Sequence, residues 1–273
     1  MNSFSKTSHL MGLLDRFKLF LEFGDLNIPI YFILNVIERV KNKNIIYCDS
    51  NTLIRLVVKR VEQKYGIFFS PKTRFLAVKE VYVDRIYTQY KDFTPKLGEV
   101  VVDAGSETGD YALICSKYYG ASSVYVFEPN KDSFDVIKKN IKLNKCQNVK
   151  VFMVGISSVD AKQEVGFNGD TISWQDKGKD IVIEVRKLDS FHINSIDILK
   201  IDVEGNEIDA ILGGIETIKR FKPRIIIETH SRELRVKVTA ILGRVGYKVV
   251  HRGRVMFDDN GREITNLFLI NSS

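Results

Sequence analysis

Two carboxylates in this chain end two successive apolar runs. Asp103 ends the run that begins at Val100, and Glu128 ends the next run, VYVF. Between them, Gly105 and Gly109 flank a tight loop that leads into a helical stretch. A strand, a glycine turn, a helix and a second strand ending in a carboxylate form a nucleoside-binding half-site. The second carboxylate can accept hydrogen bonds from both ribose hydroxyls, and the glycines let the backbone approach the ligand.

The loop sequence, Gly105-Ser-Glu-Thr-Gly109, separates two classes of cofactor. A dinucleotide requires G-x-G-x-x-G so that its pyrophosphate reaches the amides of the helix N-terminus, but Glu107 stands at the second glycine position. A carboxylate there repels a pyrophosphate. S-adenosylmethionine has no phosphate and carries a sulfonium and an ammonium group, so Asp103, Glu107 and Asp110 favour it. The alternative is a plain strand-to-helix turn with a solvated Glu107.

A second group of acids follows a later apolar strand, in the segment DILKIDVEGNE at 197–207. Asp202 and Glu204 fall at the end of this strand, and Gly205 allows a sharp turn into a helix. Glu207 would lie in the first turn of that helix, where an acid is stabilised without any function. Ligands of open α/β sheets bind beyond the carboxyl ends of the strands. We therefore expect Asp202 and Glu204 to face a ligand.

The next strand, PRIIIETH at 223–230, ends in a carboxylate and an imidazole. Glu228 and His230 are two positions apart and so point to one face. Methyl transfer to a hydroxyl requires removal of the acceptor proton, a task that suits an imidazole. We predict that Asp202, Glu204, Glu228 and His230 form the catalytic group, with His230 the base, held by Glu228 or Glu204. The alternatives are capping roles for all of them, or a divalent ion shared by Asp202 and Glu204.

Several common chemistries lack their motifs. No DPPY or NPPY sequence follows the fourth strand, which disfavours transfer to the exocyclic amine of a base. No Ser/His/Asp nucleophile elbow and no zinc-spaced cluster is present, and we assign no metal site. The three cysteines, Cys48, Cys115 and Cys146, are far apart and are interpreted as reduced thiols of a cytoplasmic protein.

The chain has 273 residues, 44% of them hydrophobic and 27% charged, which suits one domain with an extension. Charged residues interrupt the apolar N-terminal stretch, and we predict no membrane span. The net charge of +7 is concentrated in residues 1–80 and 231–254. These basic regions are either solvated helix faces or the binding surface of an anionic partner.

The order of the predicted elements indicates an α/β fold. Residues 8–66 are predicted to be mainly helical, with a short strand at 44–48, and residues 1–80 form an extension. Residues 81–273 form the cofactor-binding domain. Its predicted strands are 99–103, 123–128, 149–154, 196–202 and 223–229, and its predicted helices are 109–119, 131–143, 206–221 and 231–245. Segments QEVGF and DIVIEV are predicted to be extended, and GYKVVHR and TNLFLIN form a hairpin. Such a hairpin adds one antiparallel strand to a doubly wound parallel sheet, which distinguishes class I methyltransferases from nicotinamide-binding folds.

Over residues 80–270 the chain resembles the FkbM-type methyltransferases. The segments VVVDAGSETGDYA, VYVFEPN, IEVRKLDSF, DILKIDVEGNE and PRIIIETH occur in the order seen in that family. The resemblance implies a class I fold, S-adenosylmethionine as cofactor and O-methylation of sugars, polyketides or related metabolites. It implies that Asp103, Gly105, Gly109 and Glu128 line the cofactor site, with Asp202 beside it. We also predict cofactor contacts for Ser106, Glu107, Pro129 and Asn130. Ser106-Glu107 replaces the usual Ala-Asn of the family.

The sequence therefore predicts a methyltransferase that acts on a hydroxyl of a small-molecule or glycan acceptor. Two alternatives stay open. An RNA methyltransferase would use the basic N-terminal extension to hold a nucleic acid backbone. A non-catalytic S-adenosylmethionine-binding protein would keep a degenerate pocket, and Glu107 is the residue that supports this reading.

Overall fold

The computed structural model describes residues 50–167, 172–174, 179–257 and 261–272. The chain divides into two compact units, Met1–Arg60 and Val61–Ser273. The helices predicted before residue 50 and the strand predicted at 44–48 lie outside the described residues, as does most of the turn predicted at 258–261. The boundary that we placed near residue 80 stays a prediction about which part of the chain folds alone.

Twelve strands are described in chain order: β1 (Val100–Ala104), β2 (Ser123–Phe127), β3 (Val149–Phe152), β4 (Gly155–Ile156), β5 (Ala161–Phe167), β6 (Ile172–Ser173), β7 (Lys179–Arg186), β8 (Ile198–Ile201), β9 (Arg224–Thr229), β10 (Tyr247–Arg252), β11 (Met256–Phe257) and β12 (Glu263–Asn271). The main sheet has the order β10–β12–β9–β8–β1–β2–β3. Strand β12 pairs antiparallel with β9, with β10 and with the short β11. The pairs among β9, β8, β1, β2 and β3 are parallel. The predicted hairpin and the single antiparallel strand of a class I fold are confirmed.

The α-helices in the described ranges are α1 (Ser50–Tyr65), α2 (Phe75–Val78), α3 (Asp110–Leu113), α4 (Lys131–Asn144), α5 (Glu207–Gly213), α6 (Ile215–Phe221) and α7 (Arg232–Arg244). Helices α2 and α3 continue into π-helical turns, Lys79–Asp84 and Ile114–Tyr118. The single helix predicted over 206–221 is two helices that meet at Gly214. None of the helices in these ranges is long and apolar enough to cross a bilayer.

The core lies around the central strands of the main sheet. Strand β8 is buried along its length, and Ile225, Ile226 and Ile227 of β9 have no exposed surface. Continuous apolar runs are typical of parallel strands that helices cover on both faces. Cys115 and Cys146 are buried free thiols. The central strands therefore form a rigid platform, and the loops at their carboxyl ends are held by it.

The extended segments predicted around residues 161–186 form a separate small sheet with the order β4–β7–β5–β6. Strands β5 and β7 pair antiparallel over their full length. Their inward side chains, Val165, Ile183 and Val185, pack with Ile172 of β6 into a small second core. Trp174, just after β6, packs partly against this cluster and is held by a hydrogen bond from its backbone N–H to the carbonyl of Glu204. The small sheet thus reaches the end of the main sheet where β8 finishes.

Candidate active site

The loop after β1 turns through two glycines with left-handed backbone. Gly105 has φ +75° and Gly109, which begins α3, has φ +85°. L-residues rarely adopt this region, and glycine does so without a steric cost. Glu107 between them also has a positive φ of 54°. The two glycines therefore suit the left-handed backbone of this loop.

Glu128, at the end of β2, organises this loop through its carboxylate. Its Oε2 accepts hydrogen bonds from the backbone N–H groups of Ser106 (3.2 Å) and Glu107 (2.9 Å). Its Oε1 accepts from the N–H of Asn130 at 2.9 Å. Burial raises the pKa of Glu128 to about 7, although the three backbone hydrogen bonds act to lower it. Since each carboxylate oxygen can accept more than one hydrogen bond, Glu128 keeps capacity for a ligand.

A buried lysine joins the ends of β1 and β8. Nζ of Lys200 lies 3.1 Å from Oδ1 of Asp103 and 3.6 Å from Oδ2 of Asp202, and it donates to the carbonyl of Gly105. Burial by itself lowers the pKa of Lys200, but the charges of Asp103 and Asp202 outweigh burial and raise it above its ordinary value. Tyr87 donates a hydrogen bond to Oδ2 of Asp202 at 2.8 Å. Asp202 is therefore held from two sides.

A cavity of about 340 Å³ opens at the carboxyl ends of β1, β2, β8 and β9. Six carboxylates line it, from Glu80, Glu107, Glu128, Asp202, Glu204 and Glu228. Among the described lining residues, Arg74 and His230 are the basic ones. Apolar side chains also line it, among them Leu76, Ile172, Trp174, Met256, Phe257 and Ile264. The cavity therefore combines a strongly acidic group of residues with an apolar one.

The sequence predictions fall into two groups around this cavity. The residues that line it are Gly105, Glu107, Glu128, Pro129, Asn130, Asp202, Glu204, Glu228 and His230. Asp103, Ser106 and Gly109 are not among the lining residues. Asp103 instead accepts a hydrogen bond from the hydroxyl of Ser106 at 2.6 Å and pairs with Lys200, so it shapes the loop from behind. Asp110, which we had counted among the acids around the ligand, is buried and accepts a hydrogen bond from Thr108.

The imidazole of His230 makes its hydrogen bond with Glu207, rather than with the expected Glu228 or Glu204. Nδ1 of His230 lies 2.7 Å from Oε1 of Glu207, whose side chain has no exposed surface. Because a carboxylate accepts, Nδ1 carries the proton and Nε2 faces the cavity. Nε2 lies 3.4 Å from Glu204, 3.7 Å from Asp202 and 3.9 Å from Glu228. The four residues of the predicted catalytic group are thus close together in the structure.

These acids change the proton affinity of the group. Burial alone lowers the pKa of His230, but the hydrogen bond and charge of Glu207, with the charges of Glu204 and Asp202, raise it to about 10. Burial, followed by the charge of Asp202, raises the pKa of Glu228 to about 8. Burial, with Asp202 and Glu107 nearby, raises the pKa of Glu80 to about 8. Carboxyl groups with strongly raised pKa values in a cleft are typical of functional sites.

Four of these residues were missed by reasoning from the sequence. Lys200 interrupts an apolar strand, which was the one local signal for a buried charge. Glu207 looked like an ordinary acid in the first turn of a helix. Arg74 and Glu80 precede the predicted domain and have no motif of their own. Their positions at the cavity depend on how the chain before β1 packs.

A divalent cation is a second ligand that this group could hold. The ligand atoms of Asp202, Glu228 and His230 lie within 4.8 Å of one another. This set differs from the pair Asp202 and Glu204 that the sequence suggested. Oxygen atoms from two carboxylates and one imidazole nitrogen suit several divalent ions.

The chemistry of the lining fits S-adenosylmethionine better than a dinucleotide. Six carboxylates around one cavity favour the sulfonium and ammonium groups and repel a pyrophosphate. Oδ1 of Asp202 and Oε2 of Glu228 are buried without a hydrogen-bond partner, as expected for groups that await a ligand. Residues that would hold the cofactor are therefore present at the strand ends where this fold places it.

Comparisons with known proteins identify the family of this chain. Residues 103–249 match the model of the methyltransferase FkbM domain. The chain is 24% identical over 165 residues to Methyltransferase 1 of Beauveria bassiana, covering 50% of this chain and 65% of that protein. It is 26% identical over 142 residues to the hexuronic acid methyltransferase AglP of Haloferax volcanii, covering 49% of this chain and 56% of that protein.

The crystal structure of an FkbM methyltransferase from Methylobacillus flagellatus superposes with a TM-score of 0.53 at 16% identity. The superposition covers 78% of this chain and 57% of that chain, and it shows a common fold. The matched regions thus span less than two thirds of the Beauveria protein and of the Methylobacillus chain. S-adenosyl-L-methionine is the cofactor of this class of enzyme. Because the family model matches more than half of this chain, the chain belongs to the FkbM methyltransferase family.

Proposed function

We propose that this protein is an S-adenosylmethionine-dependent O-methyltransferase whose acceptor is a hydroxyl group of a sugar or another small metabolite. One observation carries the proposal. A buried imidazole, His230, is fixed by the fully buried Glu207 and presents Nε2 to a cavity lined by carboxylates. A base oriented by a carboxylate is the arrangement that removes a proton from a hydroxyl during attack.

The cofactor, when bound, supplies an electrophilic methyl group. Nε2 of His230 takes the proton of the acceptor hydroxyl as the new carbon–oxygen bond forms. Glu207 keeps Nδ1 protonated and stabilises the imidazolium that results. Glu204 and Asp202, at 3.4 and 3.7 Å from Nε2, lie where they can accept hydrogen bonds from neighbouring hydroxyls of the acceptor.

The raised pKa of His230 sets a condition on this step. With a pKa of about 10, the imidazole is protonated at neutral pH in the free protein and cannot act as a base. A cation in the cavity disfavours a second positive charge and lowers the pKa of His230. The carboxylates that raise this pKa therefore also attract the cation that lowers it, so binding of the cation favours the deprotonated imidazole.

The acceptor class follows from the lining and from the relatives. Leu76, Trp174 and Phe257 offer apolar and aromatic surface beside the acids, which suits a sugar ring with one apolar face and several hydroxyls. One relative is named a hexuronic acid methyltransferase, which supports a sugar acceptor. An RNA acceptor would need basic residues to hold its phosphates, and among the described lining residues Arg74 and His230 are the basic ones.

The test uses S-adenosylmethionine with a labelled methyl group and separate panels of neutral sugars, uronic acids, small hydroxylated metabolites and RNA. We expect the labelled methyl group to appear in a sugar or a small metabolite, as a methyl ether that is stable in alkali. Methyl transfer to a carboxylate needs no base, because the acceptor is already ionised. An alkali-labile ester, or label only in RNA, would therefore contradict the proposal.

A further inference from the structure

The segment 68–87 precedes the region that matches the family model, yet it lies against the glycine loop. Asn144 of α4 accepts from the N–H of Phe68 at 2.8 Å and donates to its carbonyl at 2.7 Å. Asn140, one turn earlier, accepts from the N–H of Ser70 at 2.8 Å and donates to the carbonyl of Thr108 at 2.9 Å. Both asparagines are buried. One helix of the core therefore binds the segment and the glycine loop together.

Two tyrosines attach the later part of the segment. The hydroxyl of Tyr82 donates to the carbonyl of Asp110 at 2.9 Å, and that of Tyr87 donates to Asp202 at 2.8 Å. Both rings are buried. Tyr82 lies in the π-helical turn Lys79–Asp84, a geometry that is often found at functional sites. The segment is thus pinned at both ends, and the residues between these contacts are positioned rigidly.

Two charged residues in the pinned segment line the cavity. Nη1 of Arg74 lies 2.6 Å from Oε1 of Glu107 in the glycine loop, and both side chains are 30% exposed. Glu80 lies near Asp202 and Glu107, whose charges act on its carboxyl group. Arg74 therefore adds a cation to one part of an otherwise acidic cavity, and Glu80 adds an acid beside it.

We propose that Arg74 and Glu80 form the subsite for the amino-acid end of the cofactor, in which Arg74 binds the carboxylate and Glu80 binds the ammonium group. The proposal rests on the cofactor and not on the identity of the methyl acceptor. A guanidinium has five donors in a planar fork, so Arg74 can pair with Glu107 and still bind a carboxylate.

Calorimetry with two ligands tests the subsite. S-adenosylhomocysteine carries the amino-acid end, whereas 5′-methylthioadenosine shares the adenosine and thioether but lacks it. We expect Arg74→Gln to weaken binding of S-adenosylhomocysteine about tenfold or more, the usual effect of losing a charge-assisted hydrogen bond. Binding of 5′-methylthioadenosine should stay within about twofold. Glu80→Gln should show the same selective loss of S-adenosylhomocysteine binding. This second variant tests the subsite even if Arg74→Gln fails to fold.

The matched control is Lys72→Gln, which removes the same charge from an exposed residue that does not line the cavity. It should leave both affinities unchanged. Equal weakening of both ligands in Arg74→Gln, or unchanged affinity for S-adenosylhomocysteine, would overturn the subsite. If the unsubstituted protein bound neither ligand, the cofactor and the subsite would both be wrong. Normal binding of S-adenosylhomocysteine without any O-methylated product would overturn only the proposed acceptor.

Discussion

The α-carbon of Gly105 packs directly against the backbone carbonyl of Asp202. An ideal Cβ at Gly105 would lie 1.6 Å from that oxygen, a distance that no side chain can adopt. At this point the loop after β1 and the end of β8 therefore touch backbone to backbone. This contact brings the glycine loop and Asp202 to the same cavity.

The first prediction is that Gly105→Ala disrupts this contact. The loop must move away from β8, so we expect loss of S-adenosylhomocysteine binding. The free energy of unfolding should fall by more than the roughly 1–2 kcal/mol that a left-handed backbone costs an alanine. Gly66→Ala is the control, because Gly66 also has a positive φ of 63° but no atom within 4 Å of its Cβ position. Equal destabilisation of both variants in urea unfolding would show that backbone strain, and not the contact, explains the glycine.

The second prediction concerns Lys200, which is 3% exposed. Lys200→Met leaves Asp103 and Asp202 without their shared cation, and removing one partner of a buried ion pair typically costs about 3–5 kcal/mol. Urea unfolding should show this loss. Lys219→Met removes an exposed partner of Glu216 and should change stability by less than about 1 kcal/mol. A small effect at Lys200 would mean that the two acids are neutralised in another way.

The third prediction tests Glu128 as the ribose acceptor. Loss of a buried charge-assisted hydrogen bond costs about 1.5–3 kcal/mol, so Glu128→Ala should weaken binding roughly tenfold or more. Because the contact is with the ribose, S-adenosylhomocysteine and 5′-methylthioadenosine should be affected alike, unlike in Arg74→Gln. The exposed acid in Glu233→Gln serves as the control. Calorimetric affinities that do not change in Glu128→Ala would exclude this role.

The fourth prediction uses the pH dependence of turnover. The base must be deprotonated, so kcat/KM should rise with pH until it passes the pKa of His230. Glu207→Gln keeps the shape and a hydrogen-bond acceptor but removes the charge that raises this pKa, so the rise should shift to lower pH. His230→Gln should lower kcat about 10²–10⁴-fold at unchanged cofactor affinity. If Glu207 had a purely structural role, Glu207→Gln would lower the free energy of unfolding and leave the pH profile unchanged.

Turnover measured with a chelator distinguishes a role of His230 as a base from a role as a metal ligand. We expect turnover to continue in the presence of a chelator, since Nε2 of His230 is required as a base. Loss of turnover in EDTA, with recovery on adding Mg²⁺ or Mn²⁺, would instead make His230 a metal ligand together with Asp202 and Glu228.

The fifth prediction links cofactor binding to pH. Glu80 and Glu228 have pKa values of about 8 in the free protein, so both are largely protonated at pH 7. A bound cation favours their ionised forms and releases protons. Affinity for S-adenosylmethionine should therefore rise between pH 6 and about 9, and calorimetric heats at pH 7 should depend on the ionisation enthalpy of the buffer. Affinity that falls or stays constant over this range would contradict these pKa values.

Much of the fold was predictable because its signals are local. The mainly apolar stretches at 100–103 and 198–201 mark parallel strands, and the segments GYKVVHR and TNLFLIN pair as a hairpin. Glu128, Asp202, Glu204, Glu228 and His230 could be placed at the cavity because the carboxyl ends of parallel strands converge on one edge of the sheet.

The partners of these residues were decided only by tertiary packing. Glu207 has the local sequence of a helix start, but α5 turns it inward, to 2.7 Å from His230. Arg74 and Glu80 reach the cavity because asparagines of α4 and the segment's own tyrosines attach the segment to the core. Periodicity in a sequence reports which face of an element is buried. It does not report which distant segment packs on that face, and for this protein such contacts determine the charge and proton affinity of the site.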